Sequence, residues 1–170
     1  ALIKFKNGTD DILVCTDLAA RGLDIPDISY VVHYQFPHTM EDFTHRNGRT
    51  ARMQKDGKVY LIHSAEEPLP SYSKELKINR EKVPVEIGDF QDTGWTTLYI
   101  SGGRKEKIRK MDIAGFFMKD MHCDVKDIGI IDVFDSYSYV AIKNKRYQKI
   151  KAELYRTKIK KISVKITLCR

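Results

Sequence analysis

The sequence predicts two α/β units in series. A parallel α/β segment is expected over residues 1–78, a linker over residues 79–95, and an α+β unit of order β-α-β-β-α-β over residues 96–170. Three observations carry this. Ile12-Leu13-Val14-Cys15-Thr16 is almost wholly apolar, as in a strand covered on both faces, and further strand patterns alternate with helical ones. From Thr96 onward, strand patterns of period two are interrupted by two amphipathic helices. Charge divides the same way. Residues 1–95 hold 12 Lys+Arg against 15 Asp+Glu, whereas residues 96–170 hold 18 against 8. A nearly neutral half followed by a strongly basic one fits two units, the second facing a polyanion.

In the first half, Leu2 to Gly8 reads as the end of an amphipathic helix stopped by Asn-Gly. The Ile12–Thr16 strand follows, with Cys15 expected to pack as a small hydrophobe. Leu18–Arg21 is a short helical turn. Ile28–Tyr34 is a strand ended by Phe36-Pro37. Thr39 caps a helix from Met40 to His45, with Asp42 completing a weak capping box. Gly57–His63 is a third strand. In parallel sheets ligands bind beyond the carboxyl ends of the strands, which is where Thr16-Asp17 falls. Glu66-Glu67-Pro68-Leu69-Pro70 breaks structure, and Ser71–Lys77 forms one short helix. The joint lies between Asn79 and Thr93.

In the second half, Thr97–Ser101 alternates, and Asp112–Met121 is helical with Ile113, Phe116 and Phe117 on one face. Strands at Ile128–Phe134 and Tyr137–Ile142 flank a turn at Asp135-Ser136. Tyr147, Ile150 and Leu154 mark a second helix. Lys161–Leu168 is the last strand, with Ile162, Val164, Ile166 and Leu168 inward and Lys161 and Lys165 outward. Alternation places Tyr99, Tyr137 and Tyr139 on one sheet face. Such rings stack bases or simply favour strands. Arg104, Lys105, Lys107 and Arg109 crowd the loop after the first strand.

The densest functional signal is His45-Arg46-Asn47-Gly48-Arg49-Thr50-Ala51-Arg52. On a helix, Arg49 and Arg52 share a face and aim two guanidinium forks at one point, which suits a polyphosphate. Alone, the cluster is equally a solvated basic helix end. His33, His38 and His63 have no partner pattern and read as structural or surface residues.

Upstream stands Thr16-Asp17-Leu18-Ala19-Ala20-Arg21-Gly22-Leu23-Asp24-Ile25-Pro26. This string resembles motif V of DEAD-box RNA helicases, and His45 to Arg52 resembles their motif VI, in matching order and spacing. The family has a hydrophobic residue where Asn47 stands and a glycine where Ala51 stands. The resemblance implies an incomplete RecA-like domain, the second of the helicase core. It implies that Arg49 and Arg52 reach the γ-phosphate of ATP bound mainly on the other domain, with Arg52 the arginine finger. Asp24 would bond the ribose, Thr16 and Gly22 would touch the RNA backbone, and His45 and Arg46 would couple the two sites.

From Thr96, the order β-α-β-β-α-β resembles an RNA recognition motif (RRM). Leu98 to Arg109 and Ile131-Asp132-Val133-Phe134-Asp135 resemble the C-terminal RNA-binding domain of DbpA-type DEAD-box proteins. This implies RNA as partner, of the large ribosomal subunit; charge and strand alternation offer Tyr99, Arg104, Lys105, Lys107, Arg109, Tyr137, Tyr139, Lys161 and Lys165 as the residues that meet it.

The chain holds no Gly-x-x-x-x-Gly-Lys-Ser/Thr string and no Asp-Glu-Ala-Asp. The first RecA-like domain is therefore expected on a missing part of the parent. ATP and Mg²⁺ would be used by that parent and not bound by this chain alone. The segment opens at Ala1 in a helical pattern, as a fragment would. Three scattered cysteines suggest no metal site and fit a reducing cytoplasm, and no run is long and apolar enough to span a membrane. The alternative function is a stand-alone RNA-binding fragment without catalysis.

Overall fold

The computed structural model describes residues 1–18, 25, 28–50, 57–64, 66–83, 88–89, 92–155 and 157–169. These divide into two packing units. One is Val14–Gly88; the other joins Ala1–Leu13 to Asp89–Arg170.

In the first unit, β1 (Tyr30–His33) and β2 (Lys58–Leu61) pair in parallel, with Val31 opposite Val59 and His33 opposite Leu61. A parallel pair needs a long crossover. Here the crossover contains a helix over Met40–Asn47, called α2 because Leu2–Lys6 forms α1. The Thr39 hydroxyl accepts from the backbone N of Asp42 (3.1 Å), satisfying one orphan donor of the first turn as the sequence predicts. Phe43 is the buried residue of α2. It stacks on His33 with centroids 5.2 Å apart and packs against Tyr72, whose hydroxyl donates to the Pro37 carbonyl (2.8 Å). Tyr72 lies on a 3-10 helix, Ser71–Glu75, rather than a longer helix to Lys77.

The Ile12–Thr16 segment is not a strand. Val14 is 92% exposed, Ile12 and Cys15 are exposed, and Cys15 does not pack as a hydrophobe. A strand requires a neighbour for its amides, and none of the described strands pairs with this run.

In the second unit, β3 (Trp95–Ile100), β4 (Ile128–Val133), β5 (Ser138–Lys143) and β8 (Ile166–Leu168) form one antiparallel sheet of order β4-β5-β3-β8. The first strand of the unit is central. Its register sets Tyr99 opposite Tyr139 and Thr167. α3 (Lys110–Gly115) runs on into a π-helical turn, Phe116–Asp120, and α4 (Asn144–Ile150) follows β5 directly. Their apolar faces and the inner sheet face close a core of Leu98, Ile100, Ile113, Phe117, Val140 and Ile142, all essentially inaccessible. Burial of each such side chain contributes about 1.5–3 kcal/mol.

The end of the chain departs from expectation. Residues 161–168 are not one strand. β6 (Thr157–Ile159) and β7 (Ile162–Val164) form a separate hairpin, and only β8 joins the sheet. Lys161 therefore sits in the hairpin turn and Lys165 between β7 and β8. Val164 and Ile166 are buried, but Leu168 is 51% exposed. The period-two pattern crosses two strand boundaries, and a break between them resets which face each residue takes.

Residues 1–13 also differ from the expected division at residue 78. They pack on the second unit. Lys6 Nζ bonds both carboxylate oxygens of Asp132 (2.9 and 3.1 Å), and Asn7 Nδ2 donates to Thr97 Oγ1 (3.2 Å).

Candidate nucleic-acid interface and arginine cluster

The arginine cluster is ordered by polar contacts that the sequence does not announce. α2 ends at Asn47, Gly48 caps it, and Arg49 lies in the following turn. Arg49 is thus off the helix, and the shared helical face expected for Arg49 and Arg52 is not formed at Arg49. Thr50 leaves the turn by bridging to Ile28, and its hydroxyl donates to the Ile28 carbonyl (2.5 Å). Arg52, Gly22 and Asp24 lie outside the described residues. Thr16 is exposed, next to Asp17.

Arg46 turns inward. Its Nη2 donates to Asp17 Oδ2 (2.7 Å), its Nε lies 2.5 Å from Oδ1, and its Nη1 donates to the Gln35 carbonyl (3.0 Å). The Nη2 bond is charge-assisted and so stronger than a neutral one, while Nε, although close to Oδ1, is not aligned to donate to it. The contact ties the second motif of the sequence to the first. His45, one residue earlier, faces away and lies 3.5 Å from Glu41. The pair His45-Arg46 is therefore split: one member is exposed and one is committed to Asp17.

Behind Arg46 lies His33, 2% exposed. Its Nε2 is 2.8 Å from Asn47 Oδ1 and its Nδ1 is 3.4 Å from Arg46 Nη1. These partners select the neutral ring, with Nε2–H donating to Asn47 and Nδ1 accepting from Arg46. Burial, above all, holds its pKa below the usual 6.5; the Arg46 charge works the same way, while the Asn47 bond and Asp17 oppose. Asn47, a departure from the motif, is thus the partner of a buried histidine. His33 is structural, one of the two places its sequence allows, but its pairing with Asn47 and that of Arg46 with Asp17 are not readable from the sequence. A signal existed in the polar Asn47 at an apolar motif position, but nothing linked it to His33.

The second unit carries a different chemistry. Tyr99, Tyr137, Tyr139 and Phe134 form one aromatic cluster on the outer sheet face. Phe134 stacks on Tyr137 (5.0 Å, 26°), Tyr137 on Tyr99 (6.1 Å, 29°), and Tyr139 meets all three nearly edge-on. Tyr137 lies in the turn before β5, not within the strand, yet still joins the cluster. Phe134 was not foreseen. Burial chiefly, then Cys169 and the neighbouring tyrosines, raises the Tyr139 pKa above its usual 10, so the phenol stays neutral.

The basic loop is seated beside this cluster. Gly103 approaches the end of β4 so closely that a Cβ would lie 2.2 Å from the Phe134 carbonyl oxygen. That approach lets the backbone N–H groups of Arg104 and Lys105 donate to the carbonyls of Phe134 and Asp135, both at 2.9 Å. Arg104, Lys105, Lys107 and Arg109 are all exposed. Arg104 lies 3.5 Å from Asp135. Lys165 stays near this end of the sheet, its amide donating to Ser101 Oγ (2.8 Å), whereas Lys161 belongs to the β6–β7 hairpin. The aromatic face and the cationic turn are thus adjacent, as stacking and phosphate neutralisation on one strand require.

One unit thus holds a parallel strand pair with an arginine-bearing helix end, and the other an antiparallel sheet with an aromatic outer face beside exposed cations. Comparison with known proteins narrows this. Residues 1–54 match the helicase conserved C-terminal domain, and residues 97–168 match the DbpA RNA binding domain. The chain is 33% identical over 174 residues to "ATP-dependent RNA helicase DbpA" of Escherichia coli (strain K12), covering 99% of this chain and 38% of that protein. It is 30% identical to the protein of the same name from Bacillus subtilis (strain 168), covering 96% and 40% respectively. Over 62 residues it is 53% identical to "ATP-dependent RNA helicase mak5" of Schizosaccharomyces pombe, covering 36% of this chain and 10% of that protein. The chain belongs to the DbpA-like DEAD-box helicase family. It spans about two fifths of the length of the two DbpA proteins it matches.

Proposed function

We propose that this chain is the C-terminal portion of an ATP-dependent RNA helicase, and that its second unit delivers the enzyme to structured RNA. The observation that carries this is the aromatic cluster set against the Arg104–Lys107 turn, in a domain that follows an arginine-bearing helicase segment. Tyrosines and Phe134 would stack unpaired bases, and Arg104, Lys105, Lys107, Arg109, Lys161 and Lys165 would neutralise phosphates. The RNA class is large-subunit ribosomal RNA, the setting ribosome assembly in the cytoplasm. The family resemblance supports both.

For catalysis, Arg49 and Arg52 would meet the γ-phosphate of ATP, held with Mg²⁺ mainly on the first RecA-like domain of the parent. The fit is chemical: Arg46 is already held by Asp17, and the motif's two further guanidinium groups match phosphate oxygens. Asp24 would bond the ribose, and Thr16 and Gly22 the RNA backbone. The functional division is residues 1–78, 79–95 and 96–170, even though residues 1–13 here pack on the second unit.

The test has two arms. In the full-length parent, Arg52→Ala should lower RNA-stimulated ATP turnover by roughly 10³–10⁵ while leaving RNA affinity unchanged. In this chain, Phe134→Ala with Tyr137→Ala should weaken RNA binding by roughly 1–3 kcal/mol per base unstacked. Wild-type turnover in the first variant refutes the arginine finger; wild-type affinity in the second refutes the aromatic platform.

A further inference from the structure

The outer face of the four-stranded sheet is not open along its whole length. Cross-strand pairing sets Asp132, Tyr139 and Tyr99 in one row on this face, and Thr97 with Ala141 in the next. Leu98 and Ile100 point the other way, into the core. Thr97 and Ala141 lie outside that core cluster, yet each is only 1% exposed. They are therefore shielded from the outer side.

Residues 6–9 supply the shield. Lys6 holds both oxygens of Asp132, the direct cross-strand neighbour of Tyr139. The Thr97 hydroxyl accepts from Asn7 Nδ2 and lies 2.7 Å from Thr9 Oγ1, and the Thr93 hydroxyl donates to the Thr9 carbonyl (3.3 Å). Gly8 passes over the indole of Trp95, where a Cβ would lie 3.7 Å from Cδ1. One end of the outer face thus carries the aromatic cluster, and the adjoining part is occupied by the chain itself.

This seat is weakly made. α1 buries none of its apolar side chains: Leu2 is exposed, and Ile3 and Phe5 are half-buried. Asn7 Oδ1 is buried with no hydrogen-bond partner among the described residues, which leaves the desolvation of that oxygen uncompensated. The contact rests on polar groups that water can replace. A strand of RNA stacked on Tyr139 and Tyr99 and continuing along the face would reach Thr97 and Trp95 next, where residues 6–9 lie. We propose that residues 6–9 are a removable cover that competes with RNA for the outer sheet face. The inference rests on the RNA-binding reading above and adds its regulation by a segment of the same chain. The rival role for Lys6 is neutralisation of Asp132 so that phosphates can approach. The two differ in sign: removing a neutralising lysine weakens RNA binding, whereas removing the hold of a cover tightens it.

The test uses Lys6→Gln in the full chain, with an unpaired oligouridine as probe. Trp95 is the single tryptophan, so acrylamide quenching of its fluorescence without RNA reads whether the seat has opened. Quenching should rise in the variant. If the cover is closed in about nine molecules of ten, opening it tightens oligouridine binding about tenfold, although loss of one cation alone would weaken it. Raised quenching with unchanged or weaker binding would overturn the cover. Should Lys6→Gln leave quenching unchanged, Lys6→Glu sets two carboxylates against each other at Asp132 and is scored the same way; unchanged quenching there too would overturn it. Adding Phe134→Ala to the open variant separates the two readings. Oligouridine affinity insensitive to Phe134 refutes the aromatic platform, while the gain from the Lys6 change still decides the cover. Loss of affinity on Phe134→Ala, with no gain from opening the seat, keeps the platform and refutes the cover.

Discussion

His33 shows how one side chain sets a condition on the arginine cluster. It is buried neutral between Asn47 and Arg46, with its pKa pressed below 6.5 by burial. The unfolded chain therefore binds more protons than the folded one as pH falls through 6.5, so stability must rise with pH in that window. Below the folded pKa the loss is complete, because the ring is then charged in both states. Thermal unfolding from about pH 8 down to about pH 5 should show this fall, and His33→Gln should flatten it. An identical pH profile in both proteins would contradict the assignment. Gly103 sets the other site. A methyl group there meets backbone, not a movable side-chain end, at 2.2 Å. Gly103→Ala should cost about 1–3 kcal/mol in urea unfolding and weaken RNA binding by pushing the basic turn off Phe134.

At the scale of elements, the two units are unequally built. Among the described residues β1 and β2 form a two-stranded pair; Tyr30 and Val32 of β1 are roughly half exposed, as is Ile62 just after β2, and Tyr34 just after β1 is 81% exposed. Two strands alone are marginal in water, whereas the four-stranded sheet is packed under α3 and α4. Amide hydrogen exchange should find β1 and β2 opening at much lower free energy than β3 and β5. Equal protection would show that the small unit is supported by more than its own contacts. The elements also show where pattern reading succeeds. Thr39, Asp42 and Phe43 fix a helix because cap and buried face are local, three residues apart. The Ile12–Thr16 run misleads because a strand is completed only by its neighbour.

For the whole molecule, charge is arranged to match the proposed division of labour: the cations concentrate in the half that carries the aromatic face. RNA affinity of this chain should therefore fall steeply with salt, and a slope near zero would mean that stacking alone holds the RNA.

The helicase-like and RRM-like stretches, the capped helix that starts at Met40 and the shared sheet face of Tyr99 and Tyr139 were legible from the sequence alone. They are carried by local period, caps and contiguous motifs. Tertiary structure alone decided that Arg46 holds Asp17, that His33 pairs with Asn47, that Phe134 completes the aromatic cluster, and that the last eight expected strand residues split into a hairpin and an edge strand. It also decided that residues 1–13 pack on the second unit. Each of these joins residues through a contact rather than a repeat. Periodicity assigns a face to a residue, but which side chain stands opposite is fixed only when two distant segments meet and their unpaired donors and charges must be satisfied.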